Sequence, residues 1–112
     1  MNLRELPETL TLEVLQDTFD DRPLTGAYTS DLLSDVMAHA HERDVLITIQ
    51  SHKNTVAVAT LVGVGAIIVC NNRPVPEEMI ESAREEGIGI FLSREDQFTV
   101  SGRIFHLITE VQ

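Results

Sequence analysis

The polar segment at residues 51–55 contains the side chains best suited to binding an anion. Ser51 and Asn54 are residue types that cap helices, and the free amides at a helix N-terminus attract anions. His52, Lys53 and Arg73 add donors for charge-assisted hydrogen bonds to a phosphate. The alternative is an ordinary polar loop whose residues only cap a helix. The candidate ligand-binding residues are Ser51, His52, Lys53, Asn54, Thr55, Asn71, Arg73 and Ser93.

Two apolar runs rich in β-branched residues, 45–49 and 66–70, flank this segment and predict strands buried on both faces. Between them we favour a helix over residues 54–61 rather than a third strand, because two parallel strands need a crossover of a dozen or more residues. In parallel sheets, ligands bind beyond the C-terminal ends of the strands. Those ends are expected at residues 50–54, 70–73 and 93–95, which places the candidate residues along one edge.

The N-terminal part of the chain predicts a strand at residues 10–14, where apolar and polar residues alternate. A turn-rich passage follows at residues 17–26, and residues 27–28 add a short strand. Thr29 or Ser30 can cap the next helix, and Asp31 suits its positive end. The apolar face predicted for that helix consists of Leu32, Leu33, Val36, Met37 and Ala40.

The C-terminal part predicts a helix that begins at Pro76 and ends at Gly87, followed by a strand at residues 88–92. Ser93 and Asp96 form a capping signature for a last helix. Along that helix Phe98, Gly102, Phe105 and Ile108 recur at helical spacing. The element order predicts an α/β fold: a three-layer α/β/α single domain over residues 1–112, with a mostly parallel four- to five-stranded sheet.

Composition restricts the classes of partner. The 112 residues carry a net charge of −10, which argues against nucleic acid, because phosphate backbones are bound by basic faces. The uncharged run at residues 55–70 is too short for a membrane span. With no basic-then-apolar signal at the N-terminus, the chain is expected to be cytoplasmic. The single cysteine, Cys70, ends a buried strand and is interpreted as an inert core thiol.

The sequence gives little support for a metal site or for a catalytic nucleophile. Asp35 and His39 lie four residues apart on one helix, but a closed metal site needs three or four converging ligands, so no metal is expected. No Ser–His–Asp or Cys–His arrangement has a supporting context. A P-loop is also absent, because Lys53 follows His52 rather than a glycine-rich turn. We expect no cofactor and no kinase activity.

Five segments carry a family resemblance: residues 26–37, 44–52, 66–69, 85–88 and 91–93. Through them the chain resembles small stand-alone DRTGG-domain proteins. These are similar to the N-terminal domain of HPr kinase and to a middle region of some phosphate acetyltransferases, and such domains accompany CBS domains in certain regulated pyrophosphatases. The resemblance covers residues 23–112, with residues 1–22 as an N-terminal strand and loop.

The resemblance implies a three-layer α/β fold and a regulatory, non-catalytic role. We align the domain's Asp-Arg-Thr signature just after the central strand, where this chain has Ser51, His52, Lys53, Asn54 and Thr55 and so lacks the Asp–Arg pair. Residues 21–26, Asp-Arg-Pro-Leu-Thr-Gly, come close to the signature but precede the first predicted helix. We interpret that similarity as coincidence.

These observations favour a non-catalytic domain that senses an anionic small molecule, such as an adenine nucleotide. One alternative is a protein-interaction adaptor without a ligand, and another is a small hydrolase or transferase that uses His52 and Lys53. We also expect a homodimer, since residues 56–62 are apolar almost all round the predicted helix and need covering on the outer side. The last helix competes for that covering role, and related domains are expected, by resemblance, to act in pairs.

Overall fold

The computed structural model describes residues 1–110 and is built on a five-stranded, mostly parallel sheet. The strands lie in the order β1-β5-β4-β3-β2. Strands β2 to β5 run parallel to one another, whereas β1 pairs with β5 in the antiparallel direction. The strands are β1 (Glu13–Gln16), β2 (Ala27–Thr29), β3 (Val45–Thr48), β4 (Ala66–Val69) and β5 (Gly89–Leu92).

Helices cover both faces of this sheet, as predicted for a three-layer fold. A 3-10 turn (Leu3–Glu5) precedes the first helix. Helices α1 and α5 pack on one face, and α2, α3 and α4 pack on the other. The helices are α1 (Leu6–Leu10), α2 (Leu33–His39), α3 (Lys53–Val62), α4 (Glu77–Glu86) and α5 (Gln97–Glu110).

Alternation along the central strands divides the core into two layers. Successive side chains of a strand point to opposite faces, so Val45 and Ile47 pack with α1 and α5, whereas Leu46 packs with α2, α3 and α4. All four residues of β3 and all four of β4 are buried. The prediction of strands buried on both faces is confirmed, and it explains why these runs show no polar alternation.

The predicted βαβ unit is also confirmed. Helix α3 (Lys53–Val62) connects the parallel strands β3 and β4, close to the predicted helix at residues 54–61. It ends at Gly63, whose φ of 92° is in the left-handed region. Gly87 ends α4 in the same way, with φ 70°. The βαβ order therefore places the loop after β3 at the C-terminal edge of the sheet.

The prediction for the N-terminal residues was partly wrong. Residues 1–22 were expected to form a strand and a loop, but they begin with the 3-10 turn and α1. Leu6 and Leu10, four residues apart, are buried on one side of α1, and Pro7 lies in its first turn. Strand β1 therefore starts at Glu13 rather than at residue 10.

The apolar face predicted for α2 was also partly wrong. The helix is short, Leu33–His39, with Leu32 as its N-cap residue. Val36 is buried, but Leu32 and Met37 are exposed. Seven helical residues present only a narrow stripe to the sheet, formed by Val36 with the partly buried Leu33 and Ala40, so Leu32 and Met37 lie outside the core.

The apolar surface of α3 is covered largely from within the chain. Val56, Val58 and Ala59 are buried against β3, β4 and the neighbouring helices, whereas Leu61 remains 74% exposed. Helix α5 lies on the opposite face of the sheet and so does not cover α3. A second copy of the chain is therefore not required to cover α3, apart from Leu61.

The signature-like segment at residues 21–26 lies at the N-terminal edge of the sheet. Asp21 Oδ1 accepts a hydrogen bond from the Arg4 amide at 3.1 Å, and Arg22 Nη1 donates to the Gly63 carbonyl at 3.4 Å. A Cβ at Gly26 would lie 2.6 Å from Asp44 Oδ1, so a larger residue there would require the Asp44 carboxylate to move. These contacts give the segment a structural role away from the candidate residues.

Candidate functional site

The loops after β3, β4 and β5 are hydrogen-bonded to one another at the C-terminal edge of the sheet. Ser51 Oγ donates to the Pro74 carbonyl at 2.5 Å, which joins the first loop to the second. The amides of Asn71 and Asn72 donate to the carbonyls of Glu95 and Ser93, at 2.9 and 2.8 Å. The edge is therefore a connected surface rather than three independent loops.

The turn after β4 depends on two asparagines in the left-handed region. Asn71 has φ 61° and Asn72 has φ 50°, a conformation that asparagine tolerates better than most residues. This turn directs both amides towards the loop after β5. Asn71, a predicted site residue, thus positions the backbone of the edge and leaves its own side chain exposed.

Asp31 accepts four hydrogen bonds at this edge, three through its side chain and one through its backbone carbonyl. Its Oδ1 accepts hydrogen bonds from Thr48 Oγ1 (2.9 Å), the Ile49 amide (2.8 Å) and Gln97 Nε2 (2.9 Å). Gln50 Nε2 donates to the Asp31 carbonyl at 2.9 Å. The sequence predicts for Asp31 only a place at a helix N-terminus. Its position three residues after the strand predicted at residues 27–28 is the sequence signal for a role at the edge.

His52, rather than Ser51 or Asn54, caps helix α3. Its Nδ1 accepts a hydrogen bond from the Asn54 amide at 3.0 Å. A ring nitrogen that accepts carries no proton, so the ring is held with its proton on Nε2. Exposed at the edge, Nε2–H is thus oriented as a donor to solvent or a ligand.

Two other residues of this loop are held by contacts within the chain. Lys53 Nζ pairs with Glu78 Oε1 at 3.0 Å, and the lysine lowers the pKa of that carboxyl. Thr55 is buried, and its hydroxyl donates to the Gln50 carbonyl at 2.9 Å. The predicted cluster of free donors at residues 51–55 is therefore reduced mainly to His52 and Asn54.

Ser93 contributes to the start of the last helix in a way that differs from the prediction. Its buried Oγ accepts from the Glu95 amide at 3.0 Å, and it does not cap α5. Asp96 is the capping residue, since its Oδ1 accepts from the Thr99 amide at 2.8 Å. This hydrogen bond lowers the pKa of Asp96.

A cleft of about 530 Å³ opens beside the end of β5. Arg103 forms an ion pair with Glu95 and donates to the Thr9 carbonyl at 3.3 Å, whereas Arg94 is exposed and pairs with no carboxylate of residues 1–110. Ser93 is the predicted site residue in this cleft, and the segment 51–55 does not line it. The lining residues are Thr11, Leu12, Glu13, Asn72, Leu92, Ser93, Arg94, Glu95 and Arg103.

Arg73, the remaining predicted site residue, lies on the exposed loop after β4. Its side chain forms no ion pair with residues 1–110. Arg73 and Arg94 thus follow neighbouring strands, β4 and β5, at the same edge. This edge can supply two guanidinium groups and the His52 imidazole to an anion.

The other groups considered for chemistry lie elsewhere or are buried. Within residues 1–110 no three His, Cys, Asp or Glu side chains converge as metal ligands. Asp35 accepts from Tyr28 Oη at 2.7 Å and lies 3.0 Å from His39 Nδ1, on α2. Burial, helped by Asp31, Asp96 and Glu95, raises the pKa of the Cys70 thiol to about 12.

Comparison with known families identifies this arrangement. The model of the DRTGG domain matches residues 12–107. The chain belongs to the DRTGG domain family. The predicted resemblance is therefore confirmed, and the match to the DRTGG domain includes strand β1 as well as the parallel strands. Among curated proteins, no relative matches the chain.

Among solved structures, this DRTGG domain is similar to a regulatory region of a pyrophosphatase. That structure contains the CBS and DRTGG domains of the regulatory region of Clostridium perfringens pyrophosphatase, complexed with activator, diadenosine tetraphosphate. The TM-score is 0.73 at 20% sequence identity, over 91% of this chain. The chain spans 45% of that structure's length, so the similarity concerns the fold alone.

No helix within residues 1–110 combines the length and the hydropathy needed to cross a bilayer.

Proposed function

We propose that this DRTGG domain is a regulatory domain that senses an anionic small molecule, such as an adenine nucleotide, at the C-terminal edge of its sheet. The observation that carries the proposal is the cleft beside the end of β5, where the exposed Arg94 has no carboxylate partner among residues 1–110. An exposed guanidinium beside a cleft is suited to bidentate binding of phosphate.

The geometry of the edge supports a rigid receiving surface. Three loops are joined by hydrogen bonds between Ser51 and Pro74, Asn71 and Glu95, and Asn72 and Ser93. A surface that is ordered before the ligand arrives loses less conformational freedom on binding. Glu95 is neutralised by Arg103. Glu13 opposes an anion in the same cleft, so the phosphate groups are expected beside Arg94.

The similar regulatory region from Clostridium perfringens pyrophosphatase supports the choice of ligand class, since diadenosine tetraphosphate is its activator. A polyphosphate joined to adenosine offers the anionic groups that Arg94, Arg73 and His52 are suited to bind. The cleft of about 530 Å³ is in the size range of small-molecule sites. The candidate binding residues remain Ser51, His52, Lys53, Asn54, Thr55, Asn71, Arg73 and Ser93, with Arg94 added.

We further propose that the domain is not an enzyme. The alternative of a hydrolase or transferase required His52 and Lys53 to act on a substrate. Instead, His52 Nδ1 caps α3, and Lys53 Nζ pairs with Glu78. Both side chains thus have structural partners, which supports a binding role over a catalytic one. In this proposal the protein acts in the cytoplasm, and cell fractionation tests that location.

An adaptor without a small-molecule ligand is the second candidate, and one observation favours it. Phe98 and Phe105 on α5 are 87% and 69% exposed, and exposed aromatic side chains are typical of protein interfaces. The same observation fits the homodimer predicted from the sequence, which we retain as a proposal. Sensing at the edge and pairing through α5 are compatible, because Phe98 and Phe105 do not line the cleft beside β5, which adjoins the α5 surface at Arg103.

Thermal-shift measurements with ATP, AMP, diadenosine tetraphosphate and inorganic triphosphate test the ligand proposal. A nucleotide at a hundred times its dissociation constant stabilises the domain by about 2.7 kcal/mol, which raises Tm by on the order of 10 °C. Absence of a shift with every compound would contradict ligand sensing and favour the adaptor.

Paired arginine variants locate the site. Arg94→Gln is expected to reduce the shift, because it removes the unpaired guanidinium from the cleft. Arg84→Gln removes an exposed arginine in the last turn of α4, at the other edge of the sheet, and is expected to leave the shift unchanged. If the nucleotide raises the Tm of both variants by the same amount, the ligand binds elsewhere.

A further inference from the structure

Helix α5 carries an aromatic face that nothing within residues 1–110 covers. Phe98 and Phe105 lie seven residues apart, two helical turns, so they project from the same side of the helix. They are 87% and 69% exposed. Gly102 lies between them, and a Cβ built there would meet nothing within 4 Å. We call Phe98, Gly102 and Phe105 the aromatic face.

Grooves run along both sides of the aromatic face. One, of about 380 Å³, lies towards β2 and β3 and is lined by Ala27, Ile47 and Ile108 among others. The second, of about 500 Å³, lies towards α1 and includes Leu10 and Leu107. Phe98 and Gly102 line both grooves. The aromatic face therefore lies between two apolar grooves, so the rings of one copy can pack into the grooves of another.

Charge favours a second copy of this chain as the occupant. The chain has 18 acidic residues against eight basic ones, and two copies repel each other over most of their surfaces. Residues 97–109 contain no carboxylate, and Arg103 and His106 are the ionisable side chains in that stretch. Two chains of charge −10 can thus meet through α5 without bringing carboxylates of residues 97–109 face to face, and α3, which is also free of carboxylates, exposes Leu61 rather than a pair of aromatic rings.

The available area also fits a pair. A fully buried phenylalanine contributes about 150–250 Å². Since Phe98 and Phe105 are 87% and 69% exposed, the four rings of two copies supply roughly 500–800 Å². A standard interface buries about 1,200–2,000 Å² in total. The rings thus provide a large share, and the grooves beside them provide the apolar area around it.

We propose that the aromatic face of α5 is the two-fold interface of a homodimer, with the two α5 helices packed antiparallel. In that arrangement Phe98 of one copy lies opposite Phe105 of the other, which satisfies the rule that residue i contacts j and j contacts i. Gly102 is near the midpoint of the two rings, so the backbones approach closely at the axis. This inference rests on the homodimer in the proposed function and specifies its surface.

Sedimentation equilibrium at micromolar to hundred-micromolar concentration tests the interface. The wild-type chain is expected at twice its own 12.5 kDa. Gly102→Glu places a carboxylate at the axis, and open space around a Cβ there means that the single domain still folds. We expect this variant to sediment as a monomer, with a dissociation constant at least a hundredfold higher. A second variant, Phe98→Ser with Phe105→Ser, is expected to do the same.

Leu61→Glu is the matched control, since Leu61 is an exposed apolar residue of α3 on the opposite face of the sheet. It is expected to remain dimeric. Circular dichroism confirms that each variant is folded. A Gly102→Glu chain that stays dimeric would overturn the assignment to α5 and leave the homodimer standing. A wild-type chain that is monomeric at every concentration would overturn both.

Discussion

Asp31 and Gln97 are 66 positions apart in the chain, and Gln97 Nε2 donates a hydrogen bond to Asp31 Oδ1 at 2.9 Å. The contact ties the loop after β2 to the first residue of α5. The same oxygen also accepts from Thr48 and from the Ile49 amide at the end of β3. One carboxylate oxygen thus fixes the relative positions of two strands and a helix at the edge where we propose that the ligand binds.

Asp31→Ala is expected to destabilise the domain by about 2–4 kcal/mol. It leaves the buried Thr48 hydroxyl and the Ile49 amide without their acceptor, and an unsatisfied buried donor costs about 1–3 kcal/mol. Urea unfolding measures the loss. Asp20→Ala is the control, because Asp20 is exposed and its side chain makes no hydrogen bond within residues 1–110. Similar midpoints for the two variants would contradict the role assigned to Asp31.

The cap of α5 predicts a specific pH dependence. The pKa of Asp96 is lowered in the folded chain by the hydrogen bond from the Thr99 amide. A carboxyl with a depressed folded pKa stabilises the fold above its unfolded pKa of about 3.8, and this stabilisation is lost as pH falls through the lower folded value. Asp96→Ala should therefore lower the urea midpoint at pH 7.

Asp96→Asn separates charge from capping. Asparagine is also a good N-cap residue but does not titrate, so this variant should keep most of the midpoint at pH 7. The difference between wild type and Asp96→Asn should shrink as the pH is lowered below about 4. If the difference in urea midpoint between wild type and Asp96→Asn grows as the pH falls, ionised Asp96 does not stabilise the folded domain.

Several features of the fold could be predicted because they depend on neighbouring residues. Runs of β-branched residues indicated β3 and β4, and Gly63 and Gly87 mark helix ends through their own backbone conformation. The N-terminal residues were harder, since an alternating pattern at residues 10–14 competed with the i,i+4 pair Leu6 and Leu10. Tertiary packing decided in favour of a helix there.

The candidate site was less predictable because its contacts join distant parts of the chain. Nothing near Asp31 in sequence indicates that Gln97 will approach it, and nothing near Lys53 indicates its pairing with Glu78. The aromatic residues of α5 show the same limit. Phe98 and Phe105 have the spacing of a core face, but Val100 and Ile104 are the side chains that pack against the sheet.

Cys70 is expected to be unreactive in the folded domain. Burial raises the pKa of its thiol to about 12, so at pH 8 the thiolate fraction is on the order of 10⁻⁴. Reaction with a disulfide reagent at pH 8 should be slow in buffer and fast in urea, where the thiol is exposed. Rapid labelling of the folded chain would contradict the interpretation of Cys70 as a core residue.

The most direct test of ligand sensing at the C-terminal edge is a nucleotide titration followed by amide chemical shifts in an isotope-labelled sample. With diadenosine tetraphosphate, the account predicts saturable shifts concentrated at residues 50–54, 71–73 and 93–96, around the loops joined by Ser51, Asn71 and Asn72. Residues at the other edge, such as Gly26 and Asp44, should not move. Saturable shifts centred on that other edge, or no shifts at millimolar nucleotide, would contradict it.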